Sequence, residues 1–441
     1  MNIQAPKGTK DLYGGEGRAW RRLENVIREL CDAFGYEEIR PPIFEHTELF
    51  QRNVGETTDV VQKEMYSFMD KGGRDVTLRP EITAGVARAF IEHGLHNEPM
   101  PAKLFYIGPC FRYENPQSGR LRQHHQFGVE LYGASEPIAE AEIMSLGYNL
   151  LQRLGVTGVT LHINSLGCSD CRAEYHTRLK EFVGDNLQNL CNDCRQRFDK
   201  NPLRILDCKI ESCKAVLQQA PSILDTLDEN CRIHFENVQS MLNVLGIPFK
   251  VDTKIVRGFD YYMRTVFEFI ESGETGSMTV IGGGRYDGLR EKIASDESKS
   301  ENKVESKAES NTKSGTENIT PSIGFGIGIE RLLLLMKRQS LIPEDRGKPC
   351  TIYIGHTGEL GYQKSQALTL TLRQAGIAAE SDLLRRSVKA QMKYAGKRNA
   401  KFSMIIGDNE ITENKARLKN METGEQQEVT LTMEAIQSAV K

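Results

Sequence analysis

Apolar residues repeat at helical spacing near the start of the chain, in RAWRRLENVIRELCDAFG at 18–35. This periodicity predicts an amphipathic helix that ends at Gly35. The following segment, YEEIRPPIFEHTELF, contains Pro41 and Pro42, which cannot donate hydrogen bonds to a sheet, so we expect it at a sheet edge or an interface. VTLRPEITAGVARAF is predicted to pass from a short strand into a helix at 82–93.

Alternating apolar and polar residues predict a hairpin in the next part of the chain. Its strands are AKLFYIGPCFRYE and QHHQFGVELYG, and its turn carries a polar tip from Asn115 to Arg122. AEAEIMSLGYNLLQRLG predicts a helix, and strands return in FKVDTKIVRGFDYYMRTVFEFI and SMTVIGGGRYDGL, the first of which includes Tyr261 and Tyr262. PSIGFGIGIERLLLLMKRQ predicts a strand packed tightly against a neighbour, followed by an apolar helix.

Two segments interrupt this pattern. Residues at about 165–240 combine cysteines with short helical patterns and little strand signal, so we predict a small inserted module. The polar stretch at about 294–319 has almost no apolar residues, and it cannot bury enough surface to offset the entropy of ordering. We predict a disordered surface loop there, without a part in the chemistry.

The C-terminal part starts a new pattern of alternating strands and helices, TIYIG, GYQKSQALTLTLRQAG, RSVKAQMKYAGKRNA and FSMIIG, followed by a hairpin and a last helix. Such alternation predicts a separate α/β domain at 346–441. We therefore expect a core at 1–330 and a helix with a connection at 331–345.

The composition is that of an ordinary globular protein of 441 residues, with 39% hydrophobic residues and a net charge of −3. The longest aliphatic run, Leu332 to Met336, is too short for a membrane span, and the N-terminus lacks an apolar signal region. We predict a cytoplasmic protein with no membrane partner. Any nucleic-acid site must be a local basic patch, and LLRRSVKAQMKYAGKRNAKF at 383–402 is a candidate, with Lys389, Lys393 and Lys397 on one helix face.

Seven of the ten cysteines lie between Cys168 and Cys231, and four of them form the pairs CSDC and CNDC, which comprise Cys168, Cys171, Cys191 and Cys194. The spacing fits a zinc site with four thiolate ligands. The alternative is two reduced thiol pairs that bind nothing. The residues leave this choice open, so no metal ligand is assigned.

Arginines are the candidate phosphate ligands, because the chain has no GxxxxGK[ST] sequence and hence no P-loop. Four of them stand beside a glycine or an acid at the end of a predicted strand or helix: Arg112, Arg257, Arg285 and Arg331. A guanidinium offers a planar fork of donors that suits phosphate oxygens and keeps its charge when partly buried. Each arginine alone could instead form a structural ion pair.

These segments resemble a known family. FRYENPQSGRLRQHHQFGVE is similar to motif 2 of class II aminoacyl-tRNA synthetases, GFGIGIERL to motif 3 and FGYEEIRPPIF to motif 1, while RGFDYY with GGGRYDGL resembles the signature stretches of the histidyl-tRNA synthetase family. The resemblance runs from APKGTKDL at 5–12 into the C-terminal domain. It implies an α+β catalytic core with an antiparallel sheet flanked by helices, a C-terminal α/β anticodon-binding domain, and a homodimer joined through motif 1.

The resemblance also implies an activity: L-histidine is activated with ATP and Mg2+, and is then transferred to the 3′ end of tRNA(His). Arg112 would clamp the α-phosphate of ATP and Arg331 its terminal phosphate, while Arg257 would stabilise the phosphorus under attack. The implied ATP ligands are Arg112, Glu114 and Arg331. The implied histidine ligands are Glu81, Thr83, Gln126, Glu130, Arg257, Tyr261, Tyr262 and Tyr286. The implied contacts to the tRNA acceptor end are Gln117, Arg120 and Arg122.

Two other functions compete with this one. The regulatory subunit of ATP phosphoribosyltransferase resembles the same core without aminoacylation, but it generally lacks the C-terminal domain and the catalytic signatures that this chain has. A zinc-scaffolded RNA-binding protein would leave the arginines unexplained. Asn115, Leu121 and His124 depart from the residue types usual in motif 2, which leaves the reading of the acceptor end open.

Overall fold

The computed structural model describes residues 3–440 apart from 56, 57, 59, 118, 209, 260, 274, 275, 294–318 and 343–349. The loop predicted at 294–319 lies, except for Ile319, outside the described residues, as does the end of the predicted connection at 331–345. The chain divides into two compact units, one of residues 1–11 and 20–342 and the other of residues 12–19 and 343–441.

An eight-stranded sheet forms the centre of the first unit. Its strands are β1 (Glu37–Glu38), β5 (Ala102–Phe111), β6 (Gln123–Tyr132), β7 (Val159–Ser165), β8 (Phe249–Val251), β9 (Met263–Gly273), β10 (Gly276–Arg285) and β11 (Ser322–Gly328). They lie in the order β1-β5-β6-β11-β10-β9-β7-β8, and all pairs are antiparallel except the two at the edges. The predicted antiparallel sheet is confirmed. A smaller sheet contains β2 (Phe44–His46), β4 (Asp75–Leu78) and β3 (Tyr66–Met69).

Helices flank the large sheet. The chain's first helix is α1 (Gly14–Ala33), of which residues 20–33 belong to the first unit. The first unit also contains α2 (Thr47–Val54), α3 (Thr83–Glu92), α4 (Pro137–Arg153), α5 (Ser169–Asn186), α6 (Asn192–Lys200), α7 (Glu211–Leu217), α8 (Glu229–Val244) and α9 (Ile329–Arg338). The predicted apolar face of α1 is buried: Leu23, Ile27 and Leu30 belong to the same core as Phe127 and Phe325 of the sheet. Burial of such a face stabilises a helix more than its intrinsic propensity does.

The predicted hairpin is β5 and β6, which pair without a break from Ala102 with Tyr132 to Phe111 with Gln123. One strand prediction is wrong in detail. Tyr261 and Tyr262 precede β9, which begins at Met263, and just inside the strand the backbone turns at Arg264 (φ 48°) and the register with β10 shifts. An alternating sequence pattern does not reveal such a turn.

The described part of the segment between β7 and β8 contains α5 to α8, and the connections between these helices include short 3-10 helices at Leu187–Asn189, Pro202–Ile205 and Ile223–Thr226. Tyr175, Leu179, Val183, Ile205 and Leu217 belong to one buried cluster, whereas Phe235, Val238 and Leu242 of α8 belong to the core of the large sheet. We call residues 166–248 the helical module.

The second unit has a five-stranded sheet of β12 (Cys350–His356), β13 (Ala379–Ser381), β14 (Ala400–Ile406), β15 (Lys415–Asn420) and β16 (Gln426–Thr430). The order is β13-β12-β14-β15-β16, parallel over the first three strands. Its helices are α10 (Gly358–Gln374), α11 (Val388–Lys397), α12 (Asp408–Glu413) and α13 (Met433–Val440). The predicted α/β alternation is confirmed, although β13 and α12 were missed because each is too short to show a period. Within the described chain, no helix combines the length and the apolar character that crossing a bilayer requires.

Candidate active site

A cavity of about 1020 Å³ opens on the sheet of the first unit. Most of the predicted site residues line it, although they come from distant parts of the chain: Glu81, Thr83, Arg112, Glu114, Arg120, Gln126, Glu130, Arg257, Tyr261, Tyr262, Tyr286 and Arg331. Gln117 and Arg122 do not line it. The structure thus brings the three predicted phosphate-binding arginines to one cavity.

Arg112 and Arg331 are anchored in the same way. The Nε of Arg112 donates to the carbonyl of Pro80 (2.8 Å), and the Nε of Arg331 donates to the carbonyl of Gly119 (3.2 Å). Neither terminal Nη pair hydrogen-bonds another described residue, so both remain available to a ligand. Burial, and then the neighbouring Arg120, lower the pKa of Arg331.

Arg257 lies deeper and has an ion-pair partner. Its guanidinium contacts the carboxylate of Glu268 and lies 5.5 Å from the ring centre of Tyr262. Burial acts to lower the pKa of Arg257, but the negative charge of Glu268 more than offsets this and the pKa is raised. Thr279 donates to the other oxygen of Glu268 (2.7 Å) and so fixes the carboxylate. Glu268 is a site residue that sequence reasoning missed, although a carboxylate between Phe267 and Phe269 was a signal.

Glycines of β11 create the room in which two polar side chains of β6 lie. Gly324 pairs with Glu130, and Gly328 with Gln126, across the two strands. A Cβ on Gly324 would lie 1.9 Å from Oε2 of Glu130, and one on Gly326 would lie 2.0 Å from Nε2 of Gln126. The even glycine spacing therefore serves close packing, as the sequence predicted, and it leaves these two side chains at the cavity.

Glu130 is the centre of a buried hydrogen-bond network. Its Oε1 accepts from Thr83 (2.7 Å) and Tyr106 (3.3 Å), and its Oε2 accepts from Tyr286. Burial raises the pKa of Glu130 to about 8, although these hydroxyl donors oppose the shift. Tyr106 was missed from the sequence, because nothing in an alternating strand distinguishes a core tyrosine from one that bonds a site residue.

Glu81 offers an unsatisfied acceptor to the cavity. One carboxylate oxygen accepts the backbone N–H of Ala84 (3.0 Å), while the other is buried and has no partner among the described residues. Burial raises the pKa of this carboxyl group. An unpaired buried oxygen is costly, and a bound cation would remove that cost.

Three tyrosines form an aromatic wall. The ring centres of Tyr261 and Tyr262 are 4.6 Å apart, and the ring of Tyr286 lies 5.6 Å from the first and 6.5 Å from the second. All three are buried. The arrangement suits a flat, partly apolar ligand group that also needs hydrogen bonds.

His124 is another cavity residue that sequence reasoning did not assign. Burial, together with the charges of Arg112 and Arg331, lowers the pKa of His124 to about 3. The imidazole is therefore neutral at physiological pH. Its neighbour His125 is held by Glu330, whose carboxylate accepts the backbone N–H of His125 (2.9 Å).

The residues predicted to meet tRNA lie near the hairpin tip. Gln117 and Arg120 exchange two backbone hydrogen bonds, and Arg120 pairs loosely with Glu114 (3.5 Å). The guanidinium of Arg122 stacks 3.8 Å from the ring centre of Tyr113 and donates to the carbonyl of Glu114 (3.2 Å). Arg122 thus has an internal packing role, and its predicted contact with tRNA remains a prediction.

Arg285, the fourth arginine singled out, does not line the cavity. It is fully buried in an ion pair with Glu140, and His234 contacts the same carboxylate (2.7 Å). Arg285 therefore forms a structural ion pair, which was the alternative to a role in phosphate binding.

The structure corrects the single four-cysteine site considered for Cys168, Cys171, Cys191 and Cys194. The first CxxC pair lies beside Asp228 and Cys231, and the second beside Cys208 and Cys213, so the two pairs belong to separate clusters. The physical reason is that the pairs begin different helices, α5 and α6, whose starts do not meet.

Comparison with known proteins agrees with this geometry. Residues 8–300 match the family model described as histidyl-tRNA synthetase, and residues 352–439 match the model of an anticodon binding domain. The chain belongs to the histidyl-tRNA synthetase family. The family resemblance expected from the motifs is therefore confirmed, over both units.

Members of the family resemble this chain over its whole length. A histidine–tRNA ligase of Acetivibrio thermocellus is 48% identical over 98% of both chains, and one of Clostridium perfringens is 48% identical over 100% of both. Among solved structures, apo histidyl-tRNA synthetase of S. aureus superposes with a TM-score of 0.79 at 35% identity and covers 100% of this chain and 99% of its own.

Proposed function

We propose that this protein is a histidine–tRNA ligase, which activates L-histidine with ATP, releases pyrophosphate and transfers histidine to the 3′ end of tRNA(His). The observation that carries the proposal is the convergence of Arg112, Arg257 and Arg331 on one cavity. The same cavity contains the buried carboxylates of Glu81 and Glu130, which fit the two cationic or polar ends of histidine.

Adenylation needs positioning and charge stabilisation more than covalent help from the protein. A carboxylate oxygen of histidine attacks the α-phosphorus, the bond to pyrophosphate breaks, and no general base is needed because a carboxylate is already deprotonated at neutral pH. We assign Arg112 to the α-phosphate and Arg331 to the terminal phosphate. Arg257, held by Glu268, donates to the oxygens on which negative charge develops.

We assign histidine selection to the two buried carboxylates of the cavity and to its aromatic wall. The free oxygen of Glu81 receives the α-ammonium group, assisted by Thr83 and Gln126. Glu130 and the aromatic wall of Tyr261, Tyr262 and Tyr286 receive the imidazole. An amino acid that lacked the ring nitrogens would not form the hydrogen bond to Glu130 and would therefore bind more weakly.

Carboxylates at the cavity fit a divalent cation bound with ATP, since Mg2+ prefers oxygen ligands and retains water and phosphate oxygens. Glu114 is the residue we assign to hold it, because its only described side-chain partner is the loosely paired Arg120. When bound, Mg2+ neutralises phosphate charge.

The second substrate is tRNA. We assign the hairpin tip, with Gln117, Arg120 and Arg122, to the acceptor end, where guanidinium groups contact backbone phosphates without reading sequence. The second unit binds the anticodon region, and the exposed lysines of α11 are candidates for phosphate contacts.

We further propose that the enzyme acts in the cytoplasm as a homodimer. The motif 1 segment ends beside the small sheet, where Ile43, Phe44, Phe68 and Met69 are 46%, 54%, 49% and 63% exposed. A second copy that covered these side chains would remove apolar surface from water. Sedimentation of wild type and Phe44→Asp tests this: the dimer is expected for the first and a shift toward monomer for the second.

The decisive test of the function is histidine-dependent exchange of labelled pyrophosphate into ATP, followed by charging of tRNA(His). Both activities are expected. Histidine binding without exchange would instead favour the rival function, a regulatory subunit of ATP phosphoribosyltransferase, and that rival is disfavoured because relatives match the chain over its full length, including the anticodon-binding unit.

A further inference from the structure

Two compact sets of metal-type ligands lie in the helical module. The four-cysteine cluster consists of Cys191, Cys194, Cys208 and Cys213, and the aspartate cluster consists of Cys168, Cys171, Asp228 and Cys231. Within each cluster the four ligand atoms lie within 4.8 Å of one another. We propose that the helical module binds two structural zinc ions, one in each cluster.

The distances fit tetrahedral zinc. With Zn–S bonds of about 2.3 Å, neighbouring sulfurs in a tetrahedral site lie roughly 3.8 Å apart. The Sγ atoms of Cys191 and Cys208 are 3.9 Å apart, and those of Cys168 and Cys171 are 3.5 Å apart. Zinc also suits ligand sets of four sulfurs, or of three sulfurs and one carboxylate oxygen.

A shared backbone arrangement prepares the ligands. Cys168, Cys191 and Asp228 each precede the first residue of a helix, and a second ligand follows three residues later in each case. This spacing places both ligands on the same side of the helix start. Backbone N–H groups point at three of the sulfurs: that of Cys191 at Cys213 (3.2 Å), that of Cys194 at Cys191 (3.5 Å) and that of Asp228 at Cys171 (3.1 Å). Backbone N–H groups of this kind can donate to the sulfur of a metal-bound thiolate and so hold the ligand in place.

The carboxylate of Asp228 can bind a metal through the oxygen that faces the thiols. Its Oδ1 accepts the backbone N–H of Cys231 (2.7 Å) and so caps α8. Its Oδ2 faces the thiols of Cys168 (3.1 Å) and Cys171 (3.3 Å). A zinc ion would take the place of the two thiol protons at that oxygen, and binding would release them.

The four-cysteine cluster lies at the edge of the active-site cavity. Cys208 lines the active-site cavity, as do Arg204 and Lys214 on either side of it in sequence. Arg204 also approaches Gly258, the neighbour of Arg257. Zinc at this cluster would therefore fix this edge of the cavity, in a small module whose described residues form helices and turns.

Metal content of the full chain tests the proposal independently of the proposed function. Protein produced with zinc and purified under reducing conditions is expected to contain two zinc ions per chain. The double variant Cys208→Ser/Cys213→Ser should lose one, Cys168→Ser/Cys231→Ser should lose the other, and Cys350→Ser should keep both, because Cys350 is a buried thiol outside both clusters.

X-ray absorption at the zinc edge of wild-type protein does not depend on whether a variant folds. It should show seven sulfur ligands and one oxygen ligand distributed over two ions. Protein without zinc, or zinc ligated by nitrogen and oxygen, would overturn the proposal. If only one of the two double variants lost zinc, the proposal would be wrong for the cluster that is altered in the other variant. If native protein contained no zinc and fewer than ten thiols could be titrated, the cysteines of the clusters would instead form disulfides, and the proposal would be wrong.

Discussion

A Cβ on Gly282 would lie 2.4 Å from Nη1 of Arg257, so the guanidinium occupies the space that a side chain would need. Gly282 also pairs with Glu268 across β10 and β9, and Glu268 is the ion-pair partner of Arg257. The sheet therefore contributes both the negative partner of Arg257 and the gap into which its fork fits.

The first prediction concerns this gap. Gly282→Ala should displace Arg257 and lower the single-turnover rate of histidyl-adenylate formation roughly a hundredfold, because catalysis by positioning is lost over a displacement of about 1 Å. Gly396→Ala is the matched control, since no described atom lies near a Cβ there and its backbone needs no positive φ. A normal rate in Gly282→Ala would show that the position of Arg257 is not critical.

The second prediction removes the cation itself. Arg257→Ala should cost about 3 kcal/mol in the transition state of adenylation, comparable with the loss of a strong oxyanion donor. Arg257→Ala/Glu268→Gln separates this loss from the effect of leaving Glu268 unpaired. Rapid-quench measurement of adenylate should give similarly slow rates for both variants. A faster rate of adenylate formation in the double variant would show that the unpaired carboxylate of Glu268, and not the missing cation, slows the single variant.

The third prediction is a pH dependence of stability. The pKa of Glu130 is raised from 4.5 to about 8 in the folded chain, so the folded state binds a proton that the unfolded state has released. The contribution of Glu130 to the free energy of unfolding is therefore greatest below about pH 4.5. It is lost as the pH rises through about 8, at up to about 1.4 kcal/mol per pH unit.

Urea unfolding of wild type and Glu130→Gln between pH 5 and pH 8, a range of about three units, measures this contribution as a difference. The free energy of unfolding of the wild type should fall relative to that of the variant as the pH rises. Parallel profiles would mean that Glu130 does not titrate in this range. The same variant should bind histidine more weakly, since a neutral amide replaces an ionisable group in the proposed imidazole pocket.

The fourth prediction tests the buried pair of Arg285 and Glu140. Glu140→Ala should lower the free energy of unfolding by about 3–5 kcal/mol, because it leaves a fully buried guanidinium without its main counter-charge. Glu229→Ala removes an exposed carboxylate from the start of α8 and should leave the denaturation midpoint almost unchanged. Equal denaturation midpoints for the two variants would contradict a stabilising role of the buried pair of Arg285 and Glu140.

The fifth prediction concerns tRNA. Replacing Lys389, Lys393 and Lys397 together by glutamine should weaken tRNA binding and reduce the slope of log affinity against log salt by about two, because fewer counterions are released. Pyrophosphate exchange should not change. The control replaces Lys71, Lys180 and Lys250, which are equally exposed but lie in the first unit. The same loss in both variants would point to net charge instead of a localised site.

Local periodicity determined much of this protein. The face of α1, the β5–β6 hairpin, the glycine-bearing strand at Gly324–Gly328 and the alternation of the second unit were all predicted, because each depends on residues close together in sequence. The motifs around Arg112, Arg257 and Arg331 likewise indicated the family before any contact was known.

Only the tertiary structure decided which distant groups meet. It separated Arg257, which lines the cavity, from Arg285, which is buried against Glu140, although both stand beside glycine in the sequence. It also divided the two cysteine pairs between clusters completed by residues far along the chain. The physical reason is that periodicity reports which face of an element is buried, whereas partner choice depends on how sheet and helices pack.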